Sequence, residues 1–357
     1  MGEEEGRGVG HQEDAWTAVS IGVVIAVAAL DAAWHGGLEG VLVAGPLMAS
    51  TQLSPRRTAL VGGLAFALGF SIAEANGHLG NLHVIARLVA LAALSVFCVM
   101  AARSLHRRRQ RYDRLAVVAE AAQHAILRPV PARVGDVGFS VRYLSAAQDA
   151  MIGGDLYDVI ATGSTVRLVV GDVRGKGLDA VRLAALVLGL FREAAASAND
   201  LDAVAKAVDS GVTGYLDVED FVTAVFVDFA PGGQVTVVNC GHHPPLRIGA
   251  ERVEPLPGGE PSPPLGLNPQ FQVERHTLAP GERLLLYTDG LVEARNPDGT
   301  FFSLDRLPPR FLSARSLDDA LDALVERLLA HVGGRLNDDL ALVLAQPLTP
   351  GGTSRAV

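Results

Sequence analysis

Cysteine is scarce in this 357-residue sequence, and that scarcity excludes two kinds of structure. The two cysteines, Cys98 and Cys240, are too few for a disulfide framework or for a thiolate zinc site within one chain. Lysine is equally rare, at positions 176 and 206 only. Hydrophobic residues make up 49% of the sequence, which excludes a disordered chain.

Charge is distributed unevenly along the chain. Residues 1–102 hold 4 basic and 8 acidic residues, residues 103–134 hold 8 and 2, and residues 135–357 hold 18 and 29. The mean hydropathy of +0.28 is typical of a membrane protein, whereas the net charge of −9 is typical of a soluble acidic one. The chain is therefore composite. Because its basic part is short, a protein that binds nucleic acid through a basic working domain is excluded, and we expect no nucleic-acid partner.

Four apolar runs follow a short tail, residues 1–15, and fill residues 16–102. They are Trp16–Trp34, Leu38–Leu53, Thr58–Ala75 and His83–Ala102. About 20 apolar residues cross the hydrocarbon core of a bilayer, and tryptophans commonly flank such a helix. The runs predict an all-α membrane domain of about four helices. Two alternatives are a cleaved signal peptide for the first run and a buried soluble helical domain for all four.

The arginines predict an orientation, because basic residues collect on the cytoplasmic side of a membrane. Arg56 and Arg57 lie between the second and third runs, and a cluster follows the fourth run. That cluster comprises Arg103, Arg107, Arg108, Arg109, Arg111 and Arg114. The connections around 31–39 and 74–83 contain no basic residue. We therefore expect a multi-pass membrane protein with both ends, and the acidic part of the chain, in the cytoplasm.

Residues 103–133 read as a basic helical linker that ends near Pro129 and Pro131. Leu105, Tyr112 and Ala119 begin a weak heptad repeat that continues to Ile126. Pairing of two chains through residues 103–128 is therefore one possibility. Its arginines suit the surface of an anionic lipid membrane.

From residue 134 to 346 the pattern alternates short strand-like runs with a few helical stretches, ahead of a tail at 347–357. The predicted strands are Gly138–Leu144, Asp155–Ile160, Val166–Asp172, Thr223–Phe229, Gln234–Asn239, Pro245–Ile248, Arg283–Thr288 and Leu340–Leu344. The predicted helices are Leu178–Ala198, Asp200–Leu216 and Ser316–Val332. Strands outnumber the helices that could connect them in parallel, which favours an α+β fold with mixed or antiparallel sheets.

Aspartates stand at the ends of four of these strands. Asp172 and Asp289 follow apolar strands, Asp155 follows two glycines, and Asp338-Asp339 directly precedes a strand. A single Asp-Gly after a strand is commonly a turn. Four such carboxylates could converge at one end of a sheet, where they would require cations. Oxygen ligands without histidine or cysteine favour Mg²⁺ or Mn²⁺ over zinc.

Seven ordered motifs lie in the same region. They are Gly153-Gly154-Asp155-Leu156-Tyr157-Asp158, Gly171-Asp172-Val173-Arg174-Gly175-Lys176-Gly177, Phe221-Val222-Thr223-Ala224, Asn239-Cys240-Gly241-His242-His243-Pro244-Pro245, Leu265-Gly266-Leu267, Tyr287-Thr288-Asp289-Gly290-Leu291-Val292-Glu293-Ala294 and Asn337-Asp338-Asp339. Their order and spacing resemble the metal-dependent (PPM) serine/threonine protein phosphatases, and more narrowly the bacterial SpoIIE-like branch. The resemblance implies an αββα sandwich with a site for two Mn²⁺ or Mg²⁺ ions.

The resemblance also implies roles for individual residues. Asp172 would bridge both metals, with the backbone carbonyl of Val173 nearby as a further ligand. Asp155, Asp289 and Asp338 would be the other ligands or would orient metal-bound waters. Asp339 is the alternative to Asp338, because adjacent residues of a strand point in opposite directions. Two metals lower the pKa of a bridging water, so that no side-chain nucleophile is needed.

Several positions depart from the pattern of the eukaryotic relatives. Arg174 stands where those relatives carry a histidine proposed as general acid, and Arg142 is the candidate for their phosphate-binding arginine. His242 could replace the acid, although a structural turn before Pro244-Pro245 is favoured. Lys176 is expected to fix its loop or to screen the site.

The resemblance implies a membrane-anchored phosphatase whose substrates are phosphorylated STAS-domain anti-anti-sigma factors. The alternative is a membrane receptor or scaffold whose phosphatase-like domain is a regulated or inactive output module. Retention of an aspartate at each ligand position disfavours a catalytically inactive scaffold.

Overall fold

The computed structural model describes residues 2–34, 39–145, 153–217, 219–256, 259–304, 310–313 and 315–348. The chain divides into two compact units, Met1–Arg114 and Leu115–Val357.

The N-terminal unit is helical. Its elements are α1 (Gly2–Trp34), a 3₁₀ turn (Glu39–Val43), α2 (Ala44–Gln52), α3 (Pro55–Ala75) and the beginning of α4 (Leu82–Ile126). α1 begins at Gly2, so the predicted tail 1–15 is largely helical.

Three of these helices are long and apolar enough to cross a membrane. The segments are Glu13–Ala33, Pro55–Ala75 and Leu82–Arg108. The second predicted run, Leu38–Leu53, is shorter than expected, because it divides into the 3₁₀ turn and the nine-residue helix α2. Nine helical residues span only about 14 Å of a hydrocarbon core about 30 Å thick. The N-terminal apolar helices thus fit a membrane region of four helices, as the sequence predicts. Among the described residues, three of them contain candidate spans, and α2 is too short to span alone.

The interior of this unit is mostly apolar, although it also buries Asp31 and Thr58. Val24, Leu42, Val61 and Leu91 have almost no exposed surface. At one edge, Arg57 donates a hydrogen bond to Asp14 Oδ1 at 2.6 Å. The start of the first apolar segment therefore lies on the same side of the unit as the loop before α3.

The C-terminal unit contains two antiparallel sheets. The described strands are β1 (Arg133–Val134), β2 (Val137–Leu144), β3 (Leu156–Thr162), β4 (Thr165–Val173), β5 (Val222–Ala230), β6 (Gln234–Cys240), β7 (Leu246–Ile248), β8 (Val253–Pro255), β9 (Glu274–Thr277), β10 (Arg283–Tyr287) and β11 (Leu340–Pro347). The first sheet has the strand order β1-β2-β11-β10-β7-β8, and the second has the order β3-β4-β5-β6-β9. Neighbouring strands pair in antiparallel fashion throughout.

Helices cover the outer faces of both sheets. The remaining helical elements are α5 (Leu178–Ser197), α6 (Leu201–Thr213), a 3₁₀ turn (Pro231–Gly233), α7 (Asp289–Val292), α8 (Arg310–Ser313) and α9 (Leu317–His331). α5 and α6 pack on the second sheet, and α9 packs on the first. This is the αββα sandwich that the sequence predicts.

The sequence of strand β11 shows how side chains are assigned to the two layers of the core. Leu340, Leu342 and Leu344 point toward α9, whereas Ala341 and Val343 belong to the core between the sheets. Both faces of the strand are buried, so its sequence is a continuous apolar run.

The sequence pattern missed three short strands, β1, β8 and β9. Each has two to four residues, and none of them contains a fully buried side chain. They lie at sheet edges, where partly exposed residues carry little periodicity.

α4 ends at Ile126, ahead of Pro129. Its last turn packs on α5, because Ala122 and Ile126 contact Val181. The side chains of Tyr112 and Ala119, which belong to the predicted heptad repeat, lie outside the described residues.

Candidate metal centre

Four aspartates line one cleft, and each lies at or near the end of a strand of one of the two sheets. Asp155 directly precedes β3 and Asp172 lies near the end of β4, both in the second sheet. Asp289 begins α7 two positions after the end of β10, and Asp338 lies two positions before β11, both next to the first sheet. The expectation that they converge at the end of one sheet is therefore corrected, because each sheet contributes two.

Three of these carboxylates form a tight group. Asp155, Asp172 and Asp289 each offer an oxygen within 4.8 Å of the others. With Asp338 they line a cleft of about 340 Å³. Val173, whose backbone carbonyl is a predicted ligand, lines the same cleft.

Glycines allow the backbone segments of the site to approach one another. A Cβ atom on Gly154 would lie 2.5 Å from both the Cβ and the carbonyl oxygen of Val173. A Cβ on Gly290 would overlap the carbonyl oxygen of Asp339. Only glycine fits at these two positions without displacing the neighbouring aspartates.

Asp338 and Asp339 have different surroundings. Asp338 lines the cleft, and its Oδ1 accepts a hydrogen bond from Lys176 Nζ at 2.8 Å. Asp339 is 1% exposed, and its Oδ2 accepts hydrogen bonds from Tyr143 Oη at 2.8 Å and from the Gly153 amide at 2.7 Å. The structure thus puts Asp338 at the cleft and uses Asp339 to hold the loop that carries Asp155.

Asp155 is fixed by residues that the sequence pattern did not single out. Thr288 Oγ1 donates a hydrogen bond to Asp155 Oδ2 at 2.7 Å and accepts one from the Ala341 amide at 2.9 Å. Gln123, near the end of α4, donates to the carbonyl of Gly153 at 3.3 Å. Thr288 could have been suspected from its position before Asp289, whereas nothing in the local sequence marks Gln123.

The carboxylates repel one another in this cleft. Burial, followed by the charges of Asp289 and Asp338, raises the pKa of Asp172 to about 7. Burial, then the charges of Asp172 and Asp289, raises the pKa of Asp155, although the hydrogen bond from Thr288 opposes this. Burial and the charge of Asp338 likewise raise the pKa of Asp289.

This donor set fits hard divalent cations. Among the described residues, the group within 4.8 Å consists of carboxylates alone. Carboxylate oxygens are the ligands that Mg²⁺ and Mn²⁺ prefer, and cations would relieve the repulsion that raises these pKa values. The residues present therefore fit the metals that the sequence implies.

His242 has a structural environment. Its Nε2 lies 3.1 Å from the carbonyl oxygen of Tyr287, so this nitrogen carries the proton. Nδ1 then accepts a hydrogen bond from Thr223 Oγ1 at 2.9 Å. Burial, together with the charge of His243, lowers the pKa of His242 to about 3, which keeps the ring neutral. The neighbouring His243 lines the cleft and stacks on the ring of Tyr287.

The two arginines singled out in the sequence have different positions. Arg174 lines the cleft, lies over the ring of Phe221 and donates to the backbone carbonyl of Glu219. Arg142 instead binds Asp322 at 2.6 Å and Asp318 at 3.2 Å on α9. Because side chains alternate along β2, Tyr143 points toward Asp339 and the Gly153 loop, whereas Arg142 points away from them. Arg142 does not belong to the cleft.

The fold and the acidic cluster together define a phosphatase domain of the metal-dependent PPM type. A sequence model of the family described as Stage II sporulation protein E (SpoIIE) matches residues 162–347. This match covers more than half of the chain, which therefore belongs to the SpoIIE family.

One curated relative is protein IcfG of Synechocystis. It is 28% identical over 229 residues, which cover 54% of this chain and 35% of IcfG. The chain thus spans about a third of the length of this relative.

Two solved structures share the fold. The RsbU and RsbW domains of Rv1364c from Mycobacterium tuberculosis superpose with a TM-score of 0.52 at 29% identity, covering 61% of this chain and 62% of that one. The SiaA-PP2C domain of Pseudomonas aeruginosa superposes with a TM-score of 0.58 at 20% identity, covering 68% and 99%. Less than two thirds of the Mycobacterium chain is matched.

Proposed function

We propose that the chain is a membrane-anchored protein serine/threonine phosphatase that uses two Mn²⁺ or Mg²⁺ ions. The observation that carries this proposal is the group of Asp155, Asp172 and Asp289 within 4.8 Å in a cleft of a SpoIIE-family domain. Asp338 lines the same cleft.

Each residue of the proposed site has a specific role. Asp172 would be the ligand that the two ions share, and the Val173 carbonyl would be a further ligand in the same cleft. Asp155, Asp289 and Asp338 would complete the ligands, and Asp339 would hold the Gly153 loop in place. Bound ions supply an activated water and neutralise the phosphoryl oxygens. Thr288 keeps Asp155 oriented throughout, because its hydroxyl is itself held by the Ala341 amide.

The proposed substrate is a phosphoserine or phosphothreonine in a STAS-type anti-anti-sigma factor. This substrate class follows from the family resemblance of the motifs around Asp155, Asp172 and Asp289. One solved relative joins an RsbU domain to an RsbW domain in a single chain, which fits a role among signalling proteins.

We further propose that the catalytic unit lies in the cytoplasm of a bacterial cell. The arginines that follow the last apolar segment support this orientation. The hydrogen bond from Arg57 to Asp14 supports it too, because it places two predicted cytoplasmic segments on one side. In this orientation the stretch that contains the 3₁₀ turn and α2 would return the chain across the membrane between the first two candidate spans. A reporter that is active only in the cytoplasm, fused after Val357, should be active, and an inactive but intact fusion would contradict the orientation.

Two chains would pair through residues 103–128, where the heptad repeat lies. Cysteines introduced at position 105 should crosslink between copies in membranes. Absence of crosslinking at 105 and at the neighbouring positions 104 and 106 would contradict this pairing.

Hydrolysis by the full-length chain in lipid nanodiscs tests the proposed activity. With Mn²⁺ it should release phosphate from p-nitrophenyl phosphate and from a phosphorylated STAS protein. Asp172→Asn should reduce the rate at least about a thousandfold, because it removes the bridging ligand. Asp202→Asn is the matched control, since Asp202 pairs with Lys206 on α6 outside the cleft.

Two results would contradict the proposal. Wild-type hydrolysis that survives EDTA would exclude the two-metal mechanism. Metal binding without hydrolysis of either substrate would instead favour the inactive output module.

A further inference from the structure

The fourth carboxylate of the cleft is bound by a lysine. Asp338 does not belong to the group of three whose oxygens lie within 4.8 Å of one another. It nevertheless lines the same cleft as Asp172 and Asp289. Lys176 Nζ contacts Asp338 Oδ1 at 2.8 Å. An ammonium ion therefore neutralises the carboxylate that a second metal would need.

The loop around Lys176 is exposed at residues 174–176. Gly175 and Gly177 flank the lysine, with φ of 110° and 87°, and a Cβ on Gly175 would meet no atom within 4 Å. The side chains of Lys176 and Asp338 are 38% and 41% exposed. Both groups of this ion pair are therefore accessible to solvent and to a ligand that enters the cleft.

Lys176 is the charged partner of Asp338 in this cleft. The other cation of the described cleft, Arg174, is tied to Glu219 and Phe221.

We propose that Lys176 is an exchangeable counter-ion of Asp338, which releases this carboxylate when a divalent cation binds and then pairs with the phosphoryl group of the substrate. The inference rests on the proposed phosphatase function and deepens it, because it couples metal loading to recognition of the phosphoryl group. It also explains why the loop carries a lysine between two glycines.

Carbon-13 NMR of dimethylated lysines tests this exchange directly. The sequence has only two lysines, Lys176 and Lys206, so the spectrum of the full-length chain in nanodiscs is simple. Lys176→Arg and Lys206→Arg assign the two signals. Lys206 is the matched control, because it pairs with Asp202 at the same distance of 2.8 Å but on α6.

Mg²⁺ should shift the Lys176 signal and leave the Lys206 signal in place. Inorganic phosphate should then shift the Lys176 signal further in the presence of Mg²⁺, and much less in its absence. In Asp338→Asn, the Lys176 signal should already be displaced before Mg²⁺ is added. A Lys176 signal that stays unchanged at saturating Mg²⁺ would overturn the exchange.

The affinity for Mg²⁺ and the KM for a phosphoprotein provide a second measurement. Lys176→Met removes the competing ammonium, so Mg²⁺ should bind up to about fivefold more tightly, as expected for a partly exposed ion pair. KM for a phosphoprotein should rise about tenfold, with a smaller change in kcat, because a charged hydrogen bond to the substrate is lost. Weaker Mg²⁺ binding in Lys176→Met would show that Lys176 only holds the loop, and would also overturn the proposal.

The counter-ion proposal and the phosphatase proposal can be contradicted separately. If hydrolysis depends on Mn²⁺ but Lys176 does not respond to Mg²⁺, the counter-ion proposal fails and the phosphatase stands. If calorimetry detects no Mg²⁺ binding to the wild-type chain, the proposed function itself fails.

Discussion

Thr288 illustrates how a single hydroxyl supports a charged site. It is fully buried and lies between the carboxylate of Asp155 and the amide of Ala341. The carboxylate that it orients is pushed toward protonation by its neighbours. Such a partner affects metal affinity without touching the metal.

Thr288→Val should weaken Mg²⁺ binding about ten- to hundredfold, because Asp155 loses its hydrogen-bond donor while the side-chain volume is kept. Thr288→Ser keeps the hydroxyl and should bind nearly as well as the wild type. Isothermal titration calorimetry measures both variants. Equal affinities for the valine and serine variants would show that the hydroxyl has no part in holding Asp155.

At the scale of elements, the site depends on how closely the start of β3 approaches the end of β4. The Val173 amide donates to the Gly154 carbonyl at 3.2 Å, which places Asp155 opposite Asp172. This approach leaves no space for a side chain at position 154. The glycine is therefore required by contact distance and not by its backbone angle.

Gly154→Ala should destabilise the C-terminal unit by about 1–3 kcal/mol and greatly weaken metal binding, because one strand end must shift. The control is Gly189→Ala on the exposed face of α5, where a Cβ meets nothing within 4 Å. That substitution should stabilise the protein by about 0.5–1 kcal/mol. Thermal unfolding with and without Mg²⁺ distinguishes the two, and a Gly154→Ala protein as stable as the wild type would contradict the packing argument.

At the scale of the whole molecule, the acidic cluster links stability to both pH and metal. The pKa of Asp172 is about 7 in the folded protein, compared with an ordinary value of 3.8. A carboxyl group whose pKa is higher in the folded than in the unfolded protein stabilises the fold at pH values below its unfolded pKa. This contribution is lost as the pH rises through the folded pKa. In the presence of EDTA, stability from this group should therefore fall between about pH 4 and pH 7.

The unfolding temperature of the EDTA-treated chain should decrease by at least about 5 °C from pH 5 to pH 8, measured relative to Asp172→Asn. Saturating Mg²⁺ should remove most of this difference, because the cation replaces the proton in neutralising the carboxylates. A difference of the same size in Mg²⁺ and in EDTA would show that the cluster does not bind the metal.

Much of the fold could be predicted from the sequence. The eight predicted strands and three predicted helices of the C-terminal unit all occur, because buried strands and amphipathic helices carry clear apolar patterns. The failures have physical reasons. Edge strands such as β8 are too short and exposed to show a pattern, and the second apolar run lacks the length of a span because a 3₁₀ turn interrupts it.

The sequence by itself determined which residues carry the acidic chemistry, because carboxylates at the ends of apolar strands stand out along the chain. It also determined the positions of the apolar segments and of the arginine cluster that follows the last of them. Only the tertiary structure decided that each sheet contributes two of the four aspartates, that Asp338 lines the cleft while Asp339 holds a loop, and that Lys176 neutralises Asp338. These arrangements join residues more than 100 positions apart, and such distances depend on how the two sheets pack, which no local pattern records.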